Sequence, residues 1–267
     1  MNLRQLRDNI DELDTQIVDL LNRRCQLAAK VGEWKTLHDI PFYVPEREKE
    51  LFERLKEKNS GPITDKSLFF IYREIISAAI ALEKPLKIAV LNNINNNGSA
   101  EAARKTFGDS AQYQTMESTT SLFDALERKF TDYVVLPIID KNLSFIEDVC
   151  EEIPLNAKVC AERKIDSPAT SGTYLIFGNQ SPEPTSESRT LFIIQKINSE
   201  KITETSELMN IEITLLNNLK YKKLNSVLCE IKGHISDKKI ESFIQAVKAD
   251  NKDNKVIMFG SYPLLFS

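Results

Sequence analysis

The stretch LRQLRDNIDELDTQIVDLLNRRCQLAAKVGEWK, residues 3–35, decides how the chain begins. Apolar side chains recur at Leu3, Leu6, Ile10, Leu13, Ile17 and Leu20, then at Leu27, Val31 and Trp34. Steps of three and four residues put them on one stripe of a helix, a seam for packing on other helices. No proline interrupts the run and its first glycine is Gly32, so one helix is predicted over residues 2–36. The stretch His38–Pro45 breaks the pattern with Pro41 and Pro45. A second helix is predicted from Glu46 to Lys58, ended by Asn59-Ser60-Gly61-Pro62. Thr64 or Asp65 can cap a third helix that runs to Glu83, and Lys84-Pro85 closes the segment. Three helices without a strand make residues 1–85 an all-α module.

At Leu86 the grammar changes. Lys87–Leu91 and Tyr133–Pro137 are short apolar runs of β character, with a helical stretch at Leu122–Phe130 between them. Val159 and Tyr174–Phe177 read as further strands, and the Asn-rich stretch Asn92–Ser99 reads as a loop. Residues 86–180 are therefore expected to form a small α/β lobe. Ser181–Ser188 is a Pro/Ser/Glu linker. Beyond it the pattern is strand (Leu191–Ile197), helix (Ile202–Met209), strand (Ile211–Leu216), strand (Val227–Lys232), helix (Lys238–Ala249) and strand (Lys255–Phe259). That βαββαβ order over residues 189–267 is the α+β ferredoxin-like plan. The chain is read as multidomain.

Composition narrows the function classes. Of the 267 residues, 42% are hydrophobic and 28% charged, enough to bury real cores. A net charge of −4 argues against a nucleic-acid partner. No run approaches the ~20 apolar residues that span a membrane, and the polar N-terminal sequence does not read as a signal peptide. A cytoplasmic protein without a membrane partner is expected. Cys25, Cys150, Cys160 and Cys229 are scattered, and the chain has only two histidines, so neither a metal site nor a disulfide framework is expected.

The informative irregularity lies in the seam. Stepping by sevens from Leu3 reaches Ile10, Ile17, Arg24 and Val31. Arg24 thus takes a slot where the pattern asks for an apolar residue, and an unpaired buried charge costs several kcal/mol. Its guanidinium must reach water, pair with a carboxylate, or meet an anionic ligand. Lys35 lies 11 residues on, about 16 Å along the axis and about 20° round it, on the same face. Arg7 lies 17 residues before Arg24, roughly 25 Å away, so one small ligand cannot touch both in one chain. If Arg7 joins the site, it comes from a second copy packed antiparallel. The second helix adds Arg47 and Glu48, and the third adds Glu83 on an otherwise apolar side. Together they make a cationic interior with two carboxylates, suited to a small dianion.

These residues carry a resemblance. Leu6-Arg7 with Ile10-Asp11-Glu12-Leu13-Asp14, Leu20-Leu21-Asn22-Arg23-Arg24, Val31-Gly32 with Lys35, Pro45-Glu46-Arg47-Glu48, and Arg73-Glu74-Ile75-Ile76-Ser77-Ala78 with Ala81-Leu82-Glu83 keep their spacing. Over residues 3–85 the chain resembles the all-helical chorismate mutases, most closely those fused to prephenate dehydratase. The resemblance implies an intertwined homodimer and an isomerase that rearranges the dianion chorismate to prephenate in aromatic amino-acid (phenylalanine) biosynthesis, with no cofactor. It implies that Arg24, with Arg7 of the partner chain, holds the substrate carboxylates. Lys35 would bond one carboxylate and the ether oxygen. Glu48 would accept from the ring hydroxyl, Arg47 would brace the site, and Glu83 would face the ether oxygen. Val44 stands where an Asp is common and Ala79 where a Ser is common, so both are expected to line the substrate pocket in altered form.

The chemistry suits these residue types. A Claisen rearrangement needs no nucleophile. It needs a compact substrate pose and cationic or donor groups where the breaking C–O bond gathers charge. Lys35 supplies the cation. Glu83 helps only when protonated, and burial raises a carboxyl pKa.

From Leu86 the chain resembles a reduced prephenate dehydratase, through Lys87-Ile88-Ala89-Val90-Leu91, Asp132 to Ile138, Thr173 to Gly178 and Gly260-Ser261-Tyr262-Pro263. The family's catalytic features are absent. Its Gly-Pro-Glu-Gly loop reads Asn92-Asn93-Ile94-Asn95, its Glu-Asn pair reads Ile139-Asp140, and its Thr-Arg-Phe signature reads Gly172-Thr173-Tyr174. A second lobe is also largely missing between Ile138 and Thr173, so a catalytically dead dehydratase-like tail is expected. Residues 189–267 resemble an ACT domain. Its phenylalanine motif is replaced by Asn217-Asn218-Leu219-Lys220, which leaves it as a dimerisation module or as the site of an unidentified effector. Two alternatives stay open: a bifunctional mutase–dehydratase, and a non-enzymatic anion-binding or regulatory protein.

Overall fold

A computed structural model describes residues 2–38, 40–91, 97–139, 149, 152–221, 224–250 and 253–264. Helix α1 spans Leu3–Leu37, α2 Pro45–Lys58 and α3 Asp65–Glu83. The capping logic holds at each start. The Asn2 side chain accepts from the Gln5 amide while the Gln5 side chain accepts from the Asn2 amide, a reciprocal cap. Pro45 takes the first helical position of α2, where its missing N–H costs nothing. Thr64, rather than Asp65, caps α3 through the Ser67 amide.

The apolar seam of α1 is not buried by its own chain. Leu3, Ile10, Leu13, Ile17, Leu20, Leu27 and Val31 all stay about half exposed or more. What α1 lays on α3 is a different, narrower stripe of small residues, Cys25, Ala28, Ala29 and Gly32, with Arg24 and Lys35 at its margins. Gly32 is its closest point: a Cβ there would sit 2.7 Å from Glu83 Cβ and Cγ. The seam expected to pack on other helices therefore finds no such partner among the described residues of its own chain.

Beyond α3 come β1 (Lys87–Leu91), α4 (Gly98–Phe107), β2 (Gln112–Met116), α5 (Thr119–Glu127), β3 (Tyr133–Ile139), β4 (Lys158–Ile165) and β5 (Gly172–Gly178). They build one sheet in the order β2-β1-β3-β5-β4. β1 runs parallel to β2 and β3, whereas β5 is antiparallel to β3 and β4. The β3–β5 register slips between Pro137 and Ile139, where proline cannot donate to the ladder. Two elements were not expected. Helix α4 begins at Gly98, inside the stretch read as a loop. Its identity rests on Ala102, Ala103 and Phe107 facing the core. Strand β2 is a polar edge whose sequence alternates weakly, and its pairing with β1 defines it. The helix expected at Leu122–Phe130 is α5, shifted toward its Ser118 cap.

The last segment contains β6 (Ser188–Gln195), α6 (Ser199–Leu208), β7 (Ile213–Tyr221), β8 (Leu224–Lys232), α7 (Lys238–Asp250) and β9 (Lys255–Pro263). The sheet order β7-β8-β6-β9, antiparallel throughout, is the ferredoxin-like arrangement. Phe192, Ile202, Val227, Phe243 and Val247 fill the layer beneath α6 and α7. The opposite face packs on the first sheet: Leu191, Ile193 and Phe259 share one cluster with Leu136, Val159 and Phe177. The linker at residues 181–188 therefore divides the sequence, while one apolar core crosses it.

The helical module docks on this body through α3. Glu74 Oε2 accepts from the Asp109 amide at 3.0 Å and Ser77 Oγ from the Ser110 amide at 3.1 Å. Gly108 permits the approach. Its φ is +73°, and a Cβ there would lie 2.4 Å from Ser77 Cβ.

Candidate active site

Lys35 and Glu83 meet where α1 and α3 end, and Arg24, about three turns earlier on α1, is near enough to act on the Glu83 charge. Lys35 Nζ donates to the Phe42 carbonyl at 2.8 Å and lies 3.7 Å from Glu83 Oε2, an ion-pair distance too long for a hydrogen bond. The Glu83 side chain is only 6% exposed. Burial is the main cause that lifts its pKa above the ordinary carboxylate range, with Lys35 and then Arg24 pulling the other way. Arg24 Nη1 is shut off from solvent and has no hydrogen-bond partner among the described residues. An orphaned buried N–H of a permanent cation is costly, so this corner is electrostatically prepared for an anion. Ala79 is buried one turn before Glu83 on α3 and adds a small apolar wall.

Other expected residues stand elsewhere. Arg7 is exposed on the far half of α1, and its own chain does not bring it to Arg24. Arg47 does not brace this corner. It lies on the solvent face of α2 and pairs with Glu50 at 3.1 Å, both side chains 62% exposed. Glu48 is buried, and its Oε2 meets Arg73 Nη2 at 2.6 Å on the side of α2 that faces α3. Val44 caps α2 without a side-chain bond and lines a cavity of about 370 Å³ with Tyr43, Glu46, Tyr133, Cys160 and Glu183.

Arg73 is the functional-looking residue that sequence reasoning passed over. Its guanidinium lies over the rings of Phe52 and Phe69, 5.5 and 5.7 Å from their centroids. The signal was a lone charge on the apolar stripe Phe69, Arg73, Ile76 and Ile80. Of the dehydratase-like positions, Tyr174 is buried and donates to the Thr170 carbonyl at 2.8 Å, a structural bond. Asn92–Asn95, Asp140 and Cys150 lie outside the described residues, as do the side chains of Asn217–Lys220. Cys160 and Cys229 are free buried thiols, and burial pushes Cys160 up to about 12. No helix among the described residues is long and apolar enough to cross a membrane.

Residues 6–84 match the family Chorismate mutase type II. The helical part of this chain is thus similar to type II chorismate mutases. A bifunctional chorismate mutase/prephenate dehydratase of Aquifex aeolicus is 41% identical over 140 residues, which cover 51% of this chain and 38% of that protein. That match takes in more of the chain than the helical domain holds, yet the chain spans little more than a third of the relative. Among solved structures, prephenate dehydratase from Streptococcus mutans superposes with a TM-score of 0.50 over 67% of this chain and 98% of its own, at 12% identity. A protein titled a novel type of quorum quenching acylase superposes at 0.55 over 66% and 94%, at 13% identity. Likenesses at that identity concern the fold. Two differently named activities on it show that the α/β body does not by itself dictate chemistry.

Proposed function

We propose that this protein is a chorismate mutase that converts chorismate to prephenate within a homodimer. The observation that carries the reading is the set Arg24, Lys35 and Glu83: a half-buried guanidinium with one solvent-closed, unpartnered N–H, a tethered ammonium and a carboxyl with a raised pKa. Arg24 receives a substrate carboxylate. Lys35, fixed by the Phe42 carbonyl, spans a second carboxylate and the ether oxygen. Protonated Glu83 donates to that oxygen as the C–O bond opens. The site lowers the barrier by holding the compact pose and by stabilising charge, without a covalent intermediate or a cofactor.

The site is completed by Arg7 of a second copy. The bare seam of α1 supports this, since a row of half-exposed leucines and isoleucines marks an interface. An antiparallel copy would lay its own Arg7 end beside Arg24. The body from Leu86 onward has no dehydratase role in this account. Its C-terminal βαββαβ unit is read as ACT-like and as a place for an effector of unidentified chemistry.

The test is purified full-length protein given chorismate and, separately, prephenate. Prephenate formed from chorismate, with no phenylpyruvate formed from prephenate, is the expected result. Phenylpyruvate formation would instead establish a bifunctional enzyme. Unconsumed chorismate would leave an anion-binding protein.

A further inference from the structure

The two sheets meet along β4 and β9, and the strands come close. Gly260 of β9, at φ +122°, faces the β4 backbone: a Cβ there would lie 3.5 Å from the Val159 N. Two residues on, Tyr262 is 1% exposed, and it belongs to the core that the sheets share. Its hydroxyl meets two carboxyl groups at once. It is hydrogen-bonded to Glu230 Oε2 of β8, and Glu162 Oε2 of β4 stands 3.2 Å away. The Glu162 and Glu230 side chains are only 12% and 13% exposed. Burial holds the Tyr262 pKa well above that of a free phenol, so the hydroxyl keeps its proton. The trio joins one strand of the first sheet to two strands of the second.

A phenol has one proton and donates one hydrogen bond. With both carboxylates ionised, one carboxylate oxygen would face the phenol oxygen acceptor to acceptor. Both contacts are satisfied when one carboxyl is protonated and donates to the Tyr262 oxygen while the other accepts from it. The cations nearby do not remove this need. Arg189 of β6 lies 3.7 Å from Glu230 Oε1 and 3.9 Å from Glu212 Oε1, so it serves two acids. Lys164 of β4 is 3.4 Å from Glu162 Oε1, but it is 75% exposed and its charge is screened. Lys232 of β8 stands by the outer acid, 3.7 Å from Glu212 Oε2. Burial is the main cause that raises the Glu230 pKa; the Tyr262 hydroxyl opposes it, Glu162 adds to it, and Arg189 and Lys164 oppose. We propose that Glu162 and Glu230 share one proton through the Tyr262 hydroxyl and so form a pH-sensitive latch between the two sheets, closed while the proton is held and loosened when it leaves to water. The latch is independent of the mutase reading.

The closed seam holds a proton that an open one releases at the ordinary carboxyl pKa. Its stabilisation is therefore complete below that ordinary value and is lost as pH rises through the raised one. Amide hydrogen exchange of β4 and β9 in the full chain, corrected for the intrinsic rate at each pH, reads the opening of the seam. In the wild type the opening constant is expected to rise with pH, by at most about tenfold per pH unit for one proton, and by about tenfold or more between about pH 5 and 8. A neutral amide at either acid can donate to the phenol oxygen without a borrowed proton. Glu230→Gln and Glu162→Gln are thus each expected to abolish the rise, and either carries the comparison should the other fail to fold. Wild-type opening that does not change with pH, or a rise of wild-type size in either Gln variant, overturns the inference.

Discussion

At the residue scale, the account turns on the protonation of Glu83. Its folded pKa is raised, so the protonated form persists to higher pH than for a free carboxyl. Activity that needs this form is present at low pH and declines as pH rises through the raised value. Glu83→Gln, a permanent donor, is expected to flatten that decline, read from kcat across a pH series. Gly32 is equally exposed to test. A Cβ at Gly32 would fall 2.7 Å from Glu83 Cβ, so Gly32→Ala must push α1 off α3. A loss of activity of about tenfold or more is expected, since small displacements of catalytic groups are that costly. Arg24 and Lys35 were legible in the sequence because helical spacing puts them on one face of α1, and Glu83 because it breaks an otherwise apolar side of α3. Arg47 and Glu48 were not separable that way. Neighbours on a helix point about 100° apart, and only the position of α3 decided that Glu48 turns inward to Arg73 while Arg47 meets solvent.

At the element scale, α1 is a helix with two jobs on two faces. Its small-residue stripe serves α3, and its apolar seam is left for another surface. The seam's period was readable at once, but periodicity does not say whether the partner is the same chain or a second one. Placing a charge there separates these cases. Leu13→Asp lies about 56% exposed in the single chain, so the fold of one chain should survive it. Sedimentation is expected to show the dimer shifted to monomer, with activity lost in parallel. Elements α4 and β2 were illegible for a related reason. Their residues are small or polar, and the neighbours supply the burial and the hydrogen bonds that define them.

At the scale of the whole molecule, the helical module, the five-stranded sheet and the βαββαβ unit are locked together rather than strung out. Glu74 and Ser77 of α3 hold the turn at Gly108 to Ser110, and one core joins the two sheets. The Glu48–Arg73 pair is the most deeply buried ion pair in the helical module among the described residues. Removing its acid in Glu48→Gln leaves a buried guanidinium short of its counter-charge. Stability is expected to fall by about 3–5 kcal/mol, measured by denaturant unfolding, well beyond the effect of Arg47→Gln on the surface.

The central claim is a mutase site built from two chains, and subunit mixing tests it most directly. Arg7→Ala and Arg24→Ala chains are each expected to be nearly inactive with chorismate. Unfolded together and refolded at equal amounts, half the dimers are mixed, and each mixed dimer carries one intact site and one doubly altered site. Recovery of about a quarter of wild-type activity is the predicted result for a twofold-symmetric pair. A mixture no more active than its components, or an Arg7→Ala chain as active as wild type, would contradict the account.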